Sequence, residues 1–309
     1  MQFSLSQTVK EAFEARCEDF CKLVEKAKQR ICSETGKMES FEILGRLVKI
    51  KPEGEAVIVG DLHGDMESLV GILQDSKILE KMKEHSDAFL IFLGDYGDRG
   101  LFSAETYYTV LKLKLAFPEQ TILMRGNHEG PSDLQASPHD LPVQFQTRFG
   151  EKGTEAYKKT CELFPCLYTA VIVEKSYLMI HGGLPLEAKT LEDLAYAHIN
   201  HPKQSFLEEM LWSDPDDNIT VACDSPRGAG RLFGEIITQE ALNNFNVKIL
   251  IRGHEASEEG FRMNHNGKVL TLFSRKGPPY YNVNGAYLEL DLSRKFASAK
   301  QLLPYIHKI

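Results

Sequence analysis

The sequence predicts an α/β fold in which two mixed β-sheets form a central sandwich flanked by helices. Two observations predict it. Five short apolar runs, in AVIVGDLHGD, FLIFLGDYGDRG, TILMRGNHE, YLMIHGG and KILIRGHE, read as buried strands, and each ends in a glycine-marked cluster of Asp, Asn or His. Helical segments alternate with these runs as far as residue 254, after which strand patterns follow one another without helices. With 309 residues and no Pro/Gly/Ser-rich linker, a single domain spanning 1–309 is expected, opened by a helical segment at about 1–35.

In chain order, the opening segment carries Phe13, Phe20, Leu23, Val24, Ala27 and Ile31 at helical spacing, which predicts an amphipathic helix packed on the domain. KPEGE at 51–55 turns the chain into the first central strand. Helices are expected around 66–84, 103–115, 151–163 and 235–245. KVLTLFS and AYLELDL, past 254, read as antiparallel strands that close the second sheet.

Composition narrows the function classes. Forty-four acidic against 36 basic residues give a net charge of -8, which argues against nucleic acid as a partner. No apolar stretch approaches the ~18 residues of a membrane span. The six cysteines form no CxxC pair, so free thiols in a reducing cytoplasm are expected.

Glycine permits a sharp turn just past a strand, so the next Asp, Asn or His projects from the strand's carboxyl edge, where open α/β sheets place ligands. Five strands with this pattern would converge Asp61, His63, Asp95, Asn127, His181 and His254 on one metal site. Two carboxylates, three imidazoles and one amide oxygen, without thiolate, suit manganese, iron or zinc in a catalytic rather than a closed structural site.

In order and wording these segments resemble the phosphoprotein phosphatase (PPP) family of metal-dependent serine/threonine phosphatases, with their calcineurin-like metallophosphoesterase fold. GDLHGD at 60–65 is similar to that family's GDxHG, GDYGDRG at 94–100 to GDxVDRG, and GNHE at 126–129 is identical to its third motif. HGGLP at 181–185, RGHE at 252–255, WSDP at 212–215 and LFS at 272–274 extend the likeness over residues 40 to 292. The resemblance implies two divalent ions, manganese first, with Asp61 and His63 on one, Asn127, His181 and His254 on the other, and Asp95 bridging. It also implies His128 as general acid, Asp98 as its orienting carboxylate, and Arg99 and Arg227 as phosphate clamps, with Arg231 the competitor of Arg227. Trp212 and Asp214 lie near the site in the family and receive no role. Arg125 and Arg252 are expected to be buried ion-pair partners. His85, His139, His198, His201, His265 and His307 are expected to be solvated.

The chain departs from the family in places. Gly97 stands where the family has Val, which predicts a gap and a looser turn, and Glu255 stands where eukaryotic members often have Gln. GPSDLQASPHDLP after GNHE replaces a helix and is expected to border the substrate groove. SRKGPPYY at 274–281 replaces the Ser-Ala-Pro-Asn-Tyr of the type-1 and type-2A enzymes, whose tyrosine overhangs the metals. Loss of that aromatic face is expected, with Tyr280 or Tyr281 as substitutes in an open register. The resemblance implies hydrolysis of phosphoserine and phosphothreonine in proteins, phosphotyrosine included among the candidates, and a regulatory protein as partner. The alternative is a hydrolase of dinucleoside polyphosphates or other small phosphoesters on the same metals. A non-catalytic scaffold is disfavoured by the complete ligand set.

Overall fold

In the computed structural model, which describes residues 3–309, all five predicted strands form where the apolar runs lie. They divide between two sheets. The five-stranded sheet has the order Ile306–Lys308, Ala286–Asp291, Glu55–Val59, Ala88–Phe92, Thr121–Leu123, with the last three parallel. The eight-stranded sheet runs Gly36–Lys37, Phe41–Leu44, Leu47–Ile50, Ala170–Val173, Tyr177–Ile180, Ile249–Arg252, Val269–Leu272, Phe261–Asn264. A third, three-stranded sheet of Ala222–Asp224, Arg231–Phe233 and Asp214–Pro215 was not foreseen.

Strand periodicity explains the layering. In the eight-stranded sheet Val171, Val173, Tyr177, Met179, Ile249, Ile251, Leu270 and Leu272 join the same core as the five-stranded sheet. Their alternates Ala170, Ile172, Leu178, Ile180, Leu250 and Val269 face a second core with Leu207, Met210, Leu211, Ala241 and Leu242 from helices Phe206–Trp212 and Glu235–Asn244. Successive strand side chains point to opposite faces, so each strand serves both layers.

Several expectations need correction. The strands within KVLTLFS and AYLELDL do not belong to one sheet. Val269–Leu272 lies parallel to Ile249–Arg252, whereas Ala286–Asp291 lies antiparallel to Glu55–Val59 in the other sheet. The opening segment forms two helices, Leu5–Glu14 and Cys17–Ser33; the second buries Phe20, Leu23, Val24, Ala27 and Ile31, but Phe13 on the first is exposed. The 66–84 segment breaks into Met66–Asp75 and Ile78–Glu84 at Lys77, which takes a left-handed φ of 51°. Helix Leu141–Phe149 precedes Gly153–Leu163 and was missed because Pro and Asp dominate the approach to it. Cys32 and Cys166 are joined by a disulfide across Cα atoms 5.5 Å apart, so the expectation of six free thiols fails for this pair. The physical reason is tertiary: the end of the second helix docks on the turn after Gly153–Leu163, a proximity that a separation of 134 residues hides.

The two sheets meet where the strands end. Single bridges join Asp61 to Phe273 and Met124 to Tyr168, so the ligand-bearing edges of the two sheets meet in one floor.

Candidate active site

Each predicted ligand stands one to four residues past a strand. Asp61 and His63 follow Glu55–Val59, Asp95 follows Ala88–Phe92, and Asn127 follows Thr121–Leu123. His181 and His254 follow Tyr177–Ile180 and Ile249–Arg252. His63, Asp95, Asp98, Arg99 and His254 all hold positive φ angles, between 43° and 72°. Non-glycine residues persist there only where surroundings over-determine them, and such strain gathers at functional sites. The backbone also comes unusually close: a Cβ at Gly126 would lie 2.1 Å from Asp95 Oδ1, so only glycine fits.

The six ligand candidates converge. His63 Nδ1 bonds the Gly97 carbonyl at 2.8 Å and His181 Nδ1 the Leu93 carbonyl at 2.9 Å, which turns both Nε2 atoms inward. Asp95 lies between them: Oδ2 is 3.5 Å from His63 Nε2 and Oδ1 is 3.5 Å from His181 Nε2. His63 Nε2 is also 3.9 Å from Asp61 Oδ2, an oxygen that is buried and has no hydrogen-bond partner. Asn127 Oδ1 meets His181 Nε2 at 3.1 Å and His254 Nδ1 at 3.0 Å. With its oxygen inward, the amide adds a lone pair where two imidazoles already point, an arrangement suited to a cation; reversed, its NH2 hydrogen-bonds the same nitrogens and Asp95.

The buried charges of the cluster act strongly on one another. Burial, and then the neighbouring Asp95 charge, lift Asp61 to about 7. Burial pushes His63 down to about 3. Burial would lower His181 too, but Asp95 and Asp61 beside it lift it to about 9. Two groups, His63–Asp95–His128 and Asp95–His181–His254, each bring one donor atom per member within 4.8 Å of the others, with Asp95 common to both. The cluster is compatible with a dinuclear metal site, and its nitrogen and oxygen donors fit the group.

Beside this floor His128 Nδ1 lies 2.6 Å from Asp98 Oδ2. Burial alone would raise Asp98, but the hydrogen bonds and charges of His128 and His139 hold it far below the usual carboxylate range. Asp98, His128 and His139 form a third close group. Their contacts of 2.6 and 2.7 Å are hydrogen bonds and leave no room for an ion between them.

Of the arginines, Arg227 donates to Asp214 Oδ2 at 2.6 Å, and Arg252 to Asp214 Oδ1 at 2.8 Å. Asp61 is among the charges acting on Arg227. Arg231 instead pairs with exposed Asp224. Arg99 donates to the Tyr280 hydroxyl at 2.5 Å.

Some residues were misjudged or missed. His139 is not solvated but bonds Asp98 at 2.7 Å, and His265 is buried against Thr238. His198 and His201 are half-buried, the latter paired with Asp133, and His307 is half-buried on Tyr287; only His85 is exposed. Arg252 has its ion pairs, with Asp214 and Glu255, but Arg125 bonds the Glu129 carbonyl instead. Asp214, given no role, holds both Arg227 and Arg252. Glu129 was passed over although it closes GNHE. Its buried carboxylate accepts from Asp95 N, Tyr96 N, Gly126 N and the Tyr107 hydroxyl, tying two ligand loops together. No gap exists at Gly97, because an added Cβ would meet Tyr107 at 2.8 Å and Leu141 at 3.0 Å. The aromatic face is kept as well: Tyr280 stacks on His63, while Tyr281 is exposed.

The calcineurin-like phosphoesterase family model matches residues 56–258, a span that holds every ligand candidate. The chain belongs to this family. As a calcineurin-like phosphoesterase it is a hydrolase, and its sequence relatives place it in the phosphoprotein phosphatase branch. A serine/threonine-protein phosphatase of Candida albicans is 33% identical over 237 residues, 75% of this chain and 73% of the relative. A protein of Encephalitozoon cuniculi is 33% identical over 251 residues, 80% of this chain, which spans about half (52%) of that relative's length. The structure of a serine/threonine phosphatase from Saccharomyces cerevisiae superposes with a TM-score of 0.72 at 23% identity, over 88% of this chain and 82% of that one. That likeness supports the phosphoesterase fold. Among the described residues no helix is long and apolar enough to cross a membrane.

Proposed function

We propose that the chain hydrolyses phosphoserine and phosphothreonine in proteins at a dinuclear metal centre. The observation that carries this is the sharing of one floor by the six-residue donor cluster and the His128–Asp98 pair, with Arg99 and Arg227 beside them. Relatives named as serine/threonine phosphatases over most of the chain favour this reading over small phosphoesters.

Asp61 and His63 would hold one ion, Asn127, His181 and His254 the other, and Asp95 both, since its two oxygens face opposite sides. Manganese is the first choice because the donors include no sulfur. Two bound ions would lower the pKa of a shared water and clamp phosphoryl oxygens for in-line displacement. The chain's own residues do the rest. Arg99 and Arg227 fork onto the phosphate oxygens, for which planar guanidinium geometry suits Arg over Lys. As the P–O bond breaks, its electron pair stays on the serine oxygen, and His128 Nε2 delivers a proton there while Asp98 steadies the ring. Ester and water yield alcohol and hydrogen phosphate, and His128 regains from water the proton it lends. A regulatory protein partner is carried over from the family resemblance alone.

The test is a parallel assay with added manganese on peptides bearing phosphoserine, phosphothreonine or phosphotyrosine, on a diadenosine polyphosphate and on an aryl phosphate. The highest kcat/KM is expected on phosphoserine or phosphothreonine. A highest value on the dinucleotide would reject the reading.

A further inference from the structure

Asp98 has more partners than a carboxylate orienting one imidazole needs. Oδ2 accepts from His128 Nδ1 at 2.6 Å and from His139 Nδ1 at 2.7 Å. Oδ1 accepts from the backbone N–H groups of Asp140 at 2.9 Å and Leu141 at 2.6 Å. Three of these four donors come from consecutive residues, so one loop wraps the carboxylate. It is the Pro/Ser/Asp-rich segment in which the sequence leaves the family pattern.

The hydrogen-bond roles can be assigned along the whole chain of contacts. An ionised carboxylate only accepts, so both imidazoles carry a proton on Nδ1. His139 Nε2 lies 3.0 Å from the Tyr157 hydroxyl, and in a neutral ring protonated on Nδ1 it accepts from that hydroxyl. Tyr157 stands on helix Gly153–Leu163, a fixed element of the main core. His128 Nε2 is then the ring nitrogen left to face a reacting oxygen.

We propose that His139 is a positioning residue for hydrolysis: braced by Tyr157, it fixes the Asp98 carboxylate and through it the His128 ring for proton delivery to the leaving oxygen. This rests on the phosphomonoesterase reading with His128 as acid. With two backbone donors on Oδ1 and two imidazoles on Oδ2, the carboxylate has no freedom to rotate. Without His139, Oδ2 keeps one partner. The adjoining cleft of about 560 Å³, lined by His128, His139 and Tyr157, would then admit water to that oxygen. Water competing for Oδ2 loosens the His128 ring. The hydrogen bonds of His139 are to Asp98 and Tyr157, so its effect should enter kcat rather than KM, and only where the leaving group needs a proton.

The experiment compares His139→Ala, His139→Asn and Tyr157→Phe with His128→Asn and the unmodified protein, on a phosphoserine peptide and on p-nitrophenyl phosphate, with metal content and Tm measured for each. His139→Ala is expected to lose about tenfold in kcat on the phosphoserine peptide, the low end for one hydrogen bond to a charged group, and less than about twofold on the aryl ester. His139→Asn, whose Nδ2 can stand where Nδ1 stood, should recover most of that loss. Tyr157→Phe removes a hydroxyl and little volume, so it carries the same test where the alanine variant does not fold; a selective loss on the phosphoserine peptide is expected. Equal losses on both substrates, no loss, or no recovery with Asn would overturn the proposal. A selective loss in His128→Asn with none in the His139 and Tyr157 variants overturns this inference alone. An unselective loss in His128→Asn removes His128 as the acid and overturns this inference with it, whereas the substrate reading falls only if the parallel assay favours the dinucleotide.

Discussion

Arg99 donates to the Tyr280 hydroxyl at 2.5 Å, and the same tyrosine ring lies on His63 with centroids 5.5 Å apart and planes inclined by 25°. One aromatic side chain therefore holds the arginine proposed to bind phosphate and caps a candidate metal ligand. Phe273 supports the ring edge-on at 4.9 Å.

Tyr280→Phe would keep the ring over His63 while removing the acceptor that fixes Arg99. The expected result is unchanged metal content with kcat/KM lowered roughly tenfold or more, the range for hydrogen bonds to charged groups, and weaker inhibition by inorganic phosphate. Tyr281→Ala should change none of these, because that side chain is 79% exposed. A larger defect at Tyr281 than at Tyr280 would reverse the assignment.

Arg227→Ala should cost about 1.5–3 kcal/mol in kcat/KM, or roughly 10–150-fold, with phosphate inhibition weakened in parallel. Arg231→Ala should lose little, since its partner Asp224 is a surface carboxylate. Asp214→Asn adds a discriminating arm. It removes the charge that orients Arg227 and compensates the buried Arg252, so both activity and Tm should fall. A phosphate-binding defect in Arg231→Ala with none in Arg227→Ala would show the choice to be wrong.

Much of this site was legible because its grammar is local. Asp61, Asp95, Asn127, His181 and His254 each follow an apolar run within a few residues, and the run is what places them at a sheet edge. What escaped depends on pairings between distant segments. His139 reaches Asp98 from 41 residues away, through a loop whose Pro and Ser spacing gives no periodicity. Asp214 is inconspicuous until Arg252 and Arg227 fold onto it. Tyr280 and Tyr281 are neighbours, and only the path of the chain through Pro278 and Pro279 decides which ring lies on His63. In the fold, the strand at 269–272 could not be assigned to a sheet from its own residues, because Ile249–Arg252 and the strand at 286–291 offer equally apolar partners.

The Cys32–Cys166 bond ties helix Cys17–Ser33 to the turn after Gly153–Leu163, beside the loop that wraps Asp98. Thiol titration of the denatured, unreduced protein should count four groups, and six after reduction. Cys32→Ser should lower stability by about 2–4 kcal/mol, the common range for a lost disulfide, and be seen as a drop in Tm. Six thiols before reduction would return this pair to the free state expected from the sequence.

Asp95 is the residue common to both groups of candidate metal donors. Its Oδ2 faces His63 and its Oδ1 faces His181, each at 3.5 Å, and it accepts the His128 backbone N–H at 3.0 Å. An Asp95→Asn side chain has the same shape and one oxygen, which can keep the backbone bond or serve one ion but cannot present an anionic oxygen to each side. Two cations held by these two groups would repel each other, and the negative charge of Asp95 would offset that repulsion. The variant should therefore bind one divalent ion or none where the unmodified protein binds two, as read by metal analysis after dialysis, and its turnover should fall with the lost ion. Chelation of the unmodified protein should abolish activity, and added manganese should restore it. Two ions retained by Asp95→Asn, or full turnover after exhaustive chelation, would refute the dinuclear centre, because Asp95 is the member common to both groups of donors.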